Sequence, residues 1–284
     1  MTKAFRGRTV ALDGIDLTMT EGMTGLLGTN GAGKTTLIRI LTGTLRPTSG
    51  TVSVCGHDMA TTAGRTAVQR LLGYLPQELT LYPDLTGREF LDYIALLKGI
   101  DDKRARRAQI ESLLTRIGLD SVAKQRVGSY SGGMKRRLGI AQTLLGDPRL
   151  IIVDEPTAGL DPEERIRFRT LLGQLGGDRV VVLSTHILDD VAHSCPKVAV
   201  LTGGALAYHG TTTGLVEMAE GQTHVVRATS EPHGDFTVVN VTSTAEGTEY
   251  RVISPVPPPE SQPVAPTLDD GYIALLRSTR ASAP

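Results

Sequence analysis

Eight residues, Gly28-Thr-Asn-Gly-Ala-Gly-Lys34-Thr35, constrain this chain more than any other stretch. They fit G-x-x-x-x-G-K-[ST]. Glycines in such a loop let backbone N–H groups turn inward around phosphate oxygens. Lys34 sets a cation against the β/γ phosphates, and Thr35 offers a hydroxyl to Mg²⁺. The candidate phosphate-binding residues are therefore Gly28, Thr29, Asn30, Gly31, Ala32, Gly33, Lys34, Thr35 and Thr36. The flanks agree. Met23–Leu27 reads as a strand, and the run from Thr35 to Leu41 starts a helix whose N-terminus faces the anion.

The strand–loop–helix unit asks for a parallel sheet, and the sequence supplies one. From Val10 to Thr213, short apolar runs alternate with helical patterns, which reads as α/β. Gly73–Pro76, Leu150–Asp154, Val180–Ser184 and Val198–Leu201 are the further buried-strand candidates. Leu150-Ile-Ile-Val-Asp154-Glu155 ends an apolar run in two acids, at the strand end where open α/β sheets bind ligands. There Asp154 can hold Mg²⁺ through water, and Glu155 is placed to accept a proton from an attacking water. An apolar strand ending in an acid is common and mostly structural. Paired with the glycine loop it specifies a P-loop NTPase.

Composition narrows the remaining classes. Lys+Arg and Asp+Glu number 30 each in 284 residues, so the net charge is zero. That argues against a general nucleic-acid binder or a disordered tail protein. No run of 18 apolar residues occurs, so no bilayer-spanning helix is expected. Cys55 and Cys195 are too few for a disulfide scaffold and read as thiols in a reducing compartment. Within the α/β region, about residues 81–146 look like a helical insertion. Thr86-Gly-Arg-Glu89 is a capping box, with Leu85 and Phe90 as its hydrophobic staple, and Gly118 closes a second helix. Residues 1–216 are expected to form the main domain. Residues 217–284 read as an α+β appendix, with strands at Thr223–Arg227, Phe236–Thr242 and Thr248–Ile253. A Pro-rich linker over 255–266 then leads into a short helix. Charge is uneven: Asp101–Arg137 carries ten Lys/Arg against four Asp/Glu, and Glu217–Pro284 four against nine. Such runs are usually solvated faces.

A second glycine site, Ser131-Gly132-Gly133-Met134-Lys135-Arg136-Arg137, opens an amphipathic helix. Alone it would more often be a flexible turn. With the phosphate loop already present, it is a candidate cap for a nucleotide held by another copy. The whole arrangement over residues 5–213 resembles the ATP-binding cassette family, the nucleotide-binding subunits of ABC transporters. Gly28–Thr35 resembles the Walker A loop and Leu150–Asp154 the Walker B strand. Gln77 resembles the Q-loop glutamine and Tyr130-Ser-Gly-Gly-Met the signature motif. Ala158-Gly-Leu-Asp161 resembles the D-loop and Ser184-Thr-His186 the H-loop. All six stand in family order.

The resemblance implies ATP and Mg²⁺ as ligands and assigns roles residue by residue. Phe5 would stack the adenine. Gln77 would contact Mg²⁺ and sense a membrane partner, and Thr35 and Asp154 would complete the metal contacts. Glu155 and His186 would act on the γ-phosphate. Ser131, Gly132 and Gly133 would bind the γ-phosphate held by an opposing subunit, and Asp161 would link the two sites. Tyr130 and Met134 stand where the motif usually has Leu and Gln, with Ser-Gly-Gly intact. Only four residues precede Phe5, where the family has an edge strand, which leaves Tyr82 as an alternative stacking residue. The implied protein is an ATPase that pairs with a second cassette, as a homodimer or heterodimer. It would drive a separately encoded permease, touch the membrane only through that permease, and lie at its cytoplasmic face. The family's docking cleft corresponds to roughly Glu78–Lys98. Details, including Thr267-Leu-Asp-Asp-Gly-Tyr-Ile-Ala-Leu-Leu, resemble export-type subunits. The alternative is a soluble cassette ATPase acting on ribosomes or DNA. Against it, the chain carries one cassette where translation types carry two, and it lacks the cysteines of a zinc cluster. Lys34, Asp154, Glu155 and His186 together argue against an inactive regulatory cassette.

Overall fold

Runs that are apolar on both faces become neighbours in a parallel sheet, because helices then cover both sides. The five runs in this chain do so. The computed structural model describes residues 1–7, 9–228, 230, 232–245 and 247–281. The first half contains β1 (Lys3–Ala4), β2 (Val10–Leu12), β3 (Gly22–Leu27), α1 (Lys34–Leu41), β4 (Ser53–Val54), β5 (His57–Asp58), α2 (Thr62–Leu71) and β6 (Leu72–Leu75). Next come α3 (Gly87–Leu97), α4 (Lys103–Arg116), a 3₁₀ turn at Val127–Ser129, α5 (Gly132–Leu144), β7 (Leu150–Asp154), α6 (Pro162–Gly173), β8 (Val180–Ser184), α7 (Leu188–Ser194), β9 (Lys197–Thr202) and β10 (Ala205–Thr211). The chain continues with α8 (Thr212–Glu217), β11 (Thr223–Ala228), β12 (Thr237–Thr244), β13 (Gly247–Ile253), β14 (Gln262–Pro263) and α9 (Leu268–Ala281).

The central sheet runs β10-β9-β3-β8-β7-β6, parallel throughout except for the antiparallel edge β10. Register is continuous across it: Leu72 faces Leu150, which faces Val180, and Asp154 faces Ser184. The C-terminal strand ends, where the candidate residues stand, therefore lie along one edge. Successive side chains alternate between faces. Ile151, Val153, Val181, Leu183, Val198 and Val200 enter one core with Phe168, Leu172 and Val191. Leu150, Ile152, Val182, Ala199 and Leu201 enter the other with Leu37, Ile38, Val54 and Val68. Two short hairpins, β1–β2 and β4–β5, lie outside the central sheet. Each is too short to leave a period in the sequence.

The helical insertion packs α3, α4 and α5 against one another. Its start is fixed as expected: Thr86 Oγ1 accepts from Glu89 N at 3.2 Å, and Glu89 Oε2 accepts from Thr86 N at 2.9 Å. Leu85 and Phe90 join the same core. Gly118, at φ +64°, follows the last turn of α4.

The C-terminal strands form an antiparallel sheet, β12-β13-β11-β14. The linker returns α9 to the body of the protein, where it packs on α7 and α8. Leu268 and Leu275 share the first core with Leu215. A methyl group on Gly271 would sit 2.1 Å from the Leu215 carbonyl oxygen, so this crossing excludes any side chain. Among the described residues, no helix is long and apolar enough to cross a membrane.

Candidate functional site

The phosphate loop joins β3 to α1, and its shape depends on glycine. Gly33 has φ +104°, and a Cβ there would lie 2.6 Å from the Ala11 carbonyl oxygen and from Leu12 Cδ2. Gly33 also stands at the N-cap of α1, where no side chain caps the helix. The first-turn N–H groups, with no partner inside the helix, are left to the loop's concave side. Lys34 is buried. Its ammonium donates to the carbonyls of Gly28 and, at 3.4 Å, Thr29, and lies 4.0 Å from Glu155 Oε1. Burial lowers the Lys34 pKa, and the carboxylates of Glu155 and Asp154 oppose that shift.

A cavity of about 280 Å³ opens over this loop. Its walls bring together Thr29, Asn30, Gly31, Gly33, Lys34, Thr35, Thr36, Gln77, Asp154, Glu155 and His186, with Ala11 added by β2. Each comes from the loop or from just beyond a strand: Gln77 after β6, Asp154 and Glu155 at the end of β7, His186 after β8. Burial raises the Asp154 pKa first of all. The Ser184 hydroxyl pulls it down, Glu155 pushes it up, and Lys34 and Arg136 pull it down. Glu155 is buried, yet its carboxylate Oε2 lies 2.7 Å from Nδ1 of His186, whose side chain is 54% exposed.

Glu155 also holds an unusual backbone. Its φ is +45°, in the left-handed region, which costs a non-glycine residue roughly 1–3 kcal/mol. Two hydrogen bonds flank it. Glu155 N donates to Ser184 O at 2.8 Å, and Glu155 O accepts from Arg136 Nη2 at 2.6 Å. The turn beyond is pinned too. The Thr157 hydroxyl donates to the buried Asp190 carboxylate, which also accepts from Arg169 Nε at 2.8 Å. α6 and α7 thus grip the segment from Glu155 to Asp161.

The remaining candidates lie elsewhere. Ala32 is buried behind the loop. Ser131 is the N-cap of α5, accepting from Met134 N at 3.2 Å; it and Gly132 are exposed and do not line the cavity. Gly133 abuts α6, where a Cβ would lie 2.5 Å from Glu164 Cδ. Asp161 is the exposed N-cap of α6, accepting from Glu164 N at 2.9 Å. Phe5 is 44% exposed between β1 and β2, with the Lys3 ammonium 5.1 Å from its ring centre, and it stays outside the cavity. Lys3–Ala4 supplies a two-residue strand before it. Tyr82 packs edge-on against Tyr93, with ring centres 5.4 Å apart, on the α3 surface. Arg136 was not among the candidates. Its partners are the carbonyls of Gln77, Glu155 and Pro156, and carbonyls leave no mark in a sequence.

Comparison with known proteins gives one consistent picture. A family model described as "ABC transporter" matches residues 12–158. The chain is 40% identical over 185 residues to an uncharacterized ABC transporter ATP-binding protein, YxlF, of Bacillus subtilis. That match takes in 65% of this chain and spans 60% of the relative's length. It is 35% identical over 248 residues to the daunorubicin resistance ATP-binding protein DrrA3 of Streptomyces coeruleorubidus, covering 86% of this chain and 78% of that one. Among solved structures, a dimeric post-hydrolysis state of the ATP-binding cassette MJ0796, bound to ADP and Pi, superposes with a TM-score of 0.66. Identity is 25%, over 74% of this chain and 95% of that one.

Proposed function

The chain belongs to the ABC transporter family, as its ATP-hydrolysing cassette, and we propose that it is the ATPase subunit of an exporter whose membrane-spanning part is a separate polypeptide. One observation carries the chemistry: the Glu155 carboxylate sits beside Asp154, between Lys34 and His186, in a cavity floored by the phosphate loop.

In this reading the loop amides and Lys34 hold the β- and γ-phosphates of ATP, and Thr36 and the exposed Thr29, Asn30 and Gly31 line the approach. Glu155 takes the proton of a water attacking the γ-phosphorus, and ADP leaves. His186, with Nδ1 2.7 Å from the Glu155 carboxylate, reaches the γ-phosphate from the same side. The donor set suits Mg²⁺. The Thr35 hydroxyl, the Asp154 carboxylate and the Gln77 amide offer hard oxygen ligands around one cavity. Bound there, the ion would neutralise charge on the phosphates.

Ser131, Gly132 and Gly133 open α5 away from the cavity. That supports a head-to-tail pair in which they close over the nucleotide of a second cassette, a copy of this chain or a related one, with Asp161 at the junction. Residues 1–216 would be the ATPase unit, with the insertion at 81–146, and 217–284 the accessory region. The permease would dock near Glu78–Lys98, at the cytoplasmic face. The drug-resistance name of the Streptomyces relative supports export. Phe5, on the hairpin whose second strand meets the loop at Ala11, is the candidate for adenine stacking.

Glu155→Gln tests the chemistry. It keeps size and hydrogen bonding but cannot accept the proton. MgATP turnover should fall by about 10²–10⁴-fold while ATP binding persists. The variant should accumulate as an ATP-dependent dimer in size exclusion. Unchanged turnover refutes the assignment of the base.

A further inference from the structure

We propose that Arg136 is a positioning residue: its guanidinium ties the carbonyls of Gln77, Glu155 and Pro156 into one unit and thereby aims the Glu155 carboxylate into the phosphate cavity. The proposal rests on Glu155 being the base. Nε donates to Pro156 O at 2.8 Å, Nη1 to Gln77 O at 2.7 Å and Nη2 to Glu155 O at 2.6 Å. All three nitrogens of the planar fork are used, each on a different carbonyl, so one rigid group sets the spacing of two loops that face the cavity.

Two features separate this arrangement from ordinary packing. The first is the strain at Glu155. A left-handed glutamate persists only where its surroundings over-determine it. The bond from Glu155 N to Ser184 O anchors one side of the residue. Arg136 anchors the other. Without Arg136, the Glu155 peptide is free to turn toward an unstrained conformation. That rotates the Cα–Cβ bond and carries the carboxylate away from Nδ1 of His186, 2.7 Å away.

The second is the contrast with the next residue. Arg137 also sits on α5 and spends its guanidinium on neighbours. These are the Ile117 carbonyl at 3.0 Å and Glu164 at 3.3 Å, which join α5 to α4 and α6. It touches neither catalytic loop. Two adjacent arginines thus do different jobs, one bracing helices and one bracing the site. Because Arg136 rides on α5, whose first turn carries Gly132 and Gly133, a shift of that helix against the sheet is transmitted to Glu155.

The test uses the full chain and five proteins: wild type, Arg136→Met, Glu155→Gln, the double variant and, as a control, Arg137→Met. Arg136→Met should lower kcat by roughly 10²-fold, the cost of a misplacement of about 1 Å, while the ATP Kd changes less than about threefold. In the Glu155→Gln background it should add nothing, because the group it positions is already inert; single-turnover assays with excess protein read that residual rate. Arg137→Met should lower thermal stability to a similar extent and leave kcat within about twofold. Should Arg136→Met fail to fold, Arg136→Lys replaces it, with an expected kcat loss of about tenfold at unchanged Kd, since an ammonium cannot serve three coplanar carbonyls. Wild-type kcat in the soluble Arg136 variant, or a further full loss in the double variant, overturns the proposal. Unchanged turnover in Glu155→Gln alone overturns the base assignment instead, so the two failures are read separately.

Discussion

Asp270 offers a direct measure of how firmly the C-terminal region is built into the protein. Its carboxylate is fully buried (0% exposed), and its partner Arg251 is 23% exposed. Arg251 Nε lies 2.9 and 3.0 Å from the two oxygens and Nη2 lies 2.6 Å from Oδ2, which also accepts from Thr267 N at 2.6 Å and Thr267 Oγ1 at 2.8 Å. The carboxylate therefore fixes β13 to the start of α9 and anchors that start itself. Asp270→Ala leaves the guanidinium part-buried without its counter-charge. Breaking a buried pair costs about 3–5 kcal/mol. The partial exposure of Arg251 argues for the lower part of that range. Loss of the bonds to Thr267, comparable to losing a helix cap, adds about 1 kcal/mol. For a chain of this size, each kcal/mol shifts Tm by roughly 2 °C, so the expected loss is about 8–10 °C by scanning calorimetry. Removing both partners, Arg251→Met with Asp270→Leu, should recover part of it, because no buried charge is stranded. ATP affinity below the transition should be unchanged, since Asp270 is remote from the phosphate cavity. A drop under about 2 °C in Asp270→Ala, or a double variant worse than the single, would refute the reasoning.

Lys34→Ala should abolish MgATP turnover, because it removes the cation beside the transferring phosphoryl group; full activity at saturating MgATP contradicts the site. Ser131→Arg should leave ATP binding by the monomer intact and block the ATP-dependent dimer, read by light scattering, whereas an equal loss of monomer affinity argues against a shared site. Lys98 sets a pH dependence. Its ammonium donates to Leu145 O at 2.8 Å, and burial pushes its pKa down from 10.5 to about 8. Below that pH both states are charged and the group adds no slope. Between about 8 and 10.5 the unfolded chain holds the extra proton, so stability rises with pH. Urea midpoints at pH 7.5 and 9.5 should therefore diverge in favour of wild type over Lys98→Met, and parallel curves would refute the shift.

The candidate site was legible where its side chains stand at strand ends. Asp154, Glu155, Gln77 and His186 stand just after or at the ends of apolar runs, and the sheet's register brings those ends to one edge. Glycine was legible for a similar reason: at Gly33 both a positive φ and the Ala11 carbonyl forbid a side chain. The short hairpins and β10 were not, since strands of two or three residues have no period and β10, an edge strand, is only partly buried. The Pro-rich stretch ahead of α9 gives no sign of how firmly that helix docks: Leu268 and Leu275, seven residues apart on one face of α9, meet Leu215 in the main core.

The features that stayed hidden share one physical cause. A bond from a side chain to a main-chain carbonyl has only one end that the sequence can display. Arg136 makes three such bonds, so from the sequence it was one basic residue among the ten between Asp101 and Arg137. The same holds for the strained φ of Glu155, since any residue type can be written at a left-handed position and only the fold reveals the cost. Those two hidden features meet at one peptide, the Glu155 carbonyl. A glutamate held in a conformation it would otherwise leave is sensitive to whatever holds it, and here the holder is mounted on the helix that Ser131 caps. The Ser131 segment and Glu155 are thus mechanically joined within one chain through a contact that no motif records.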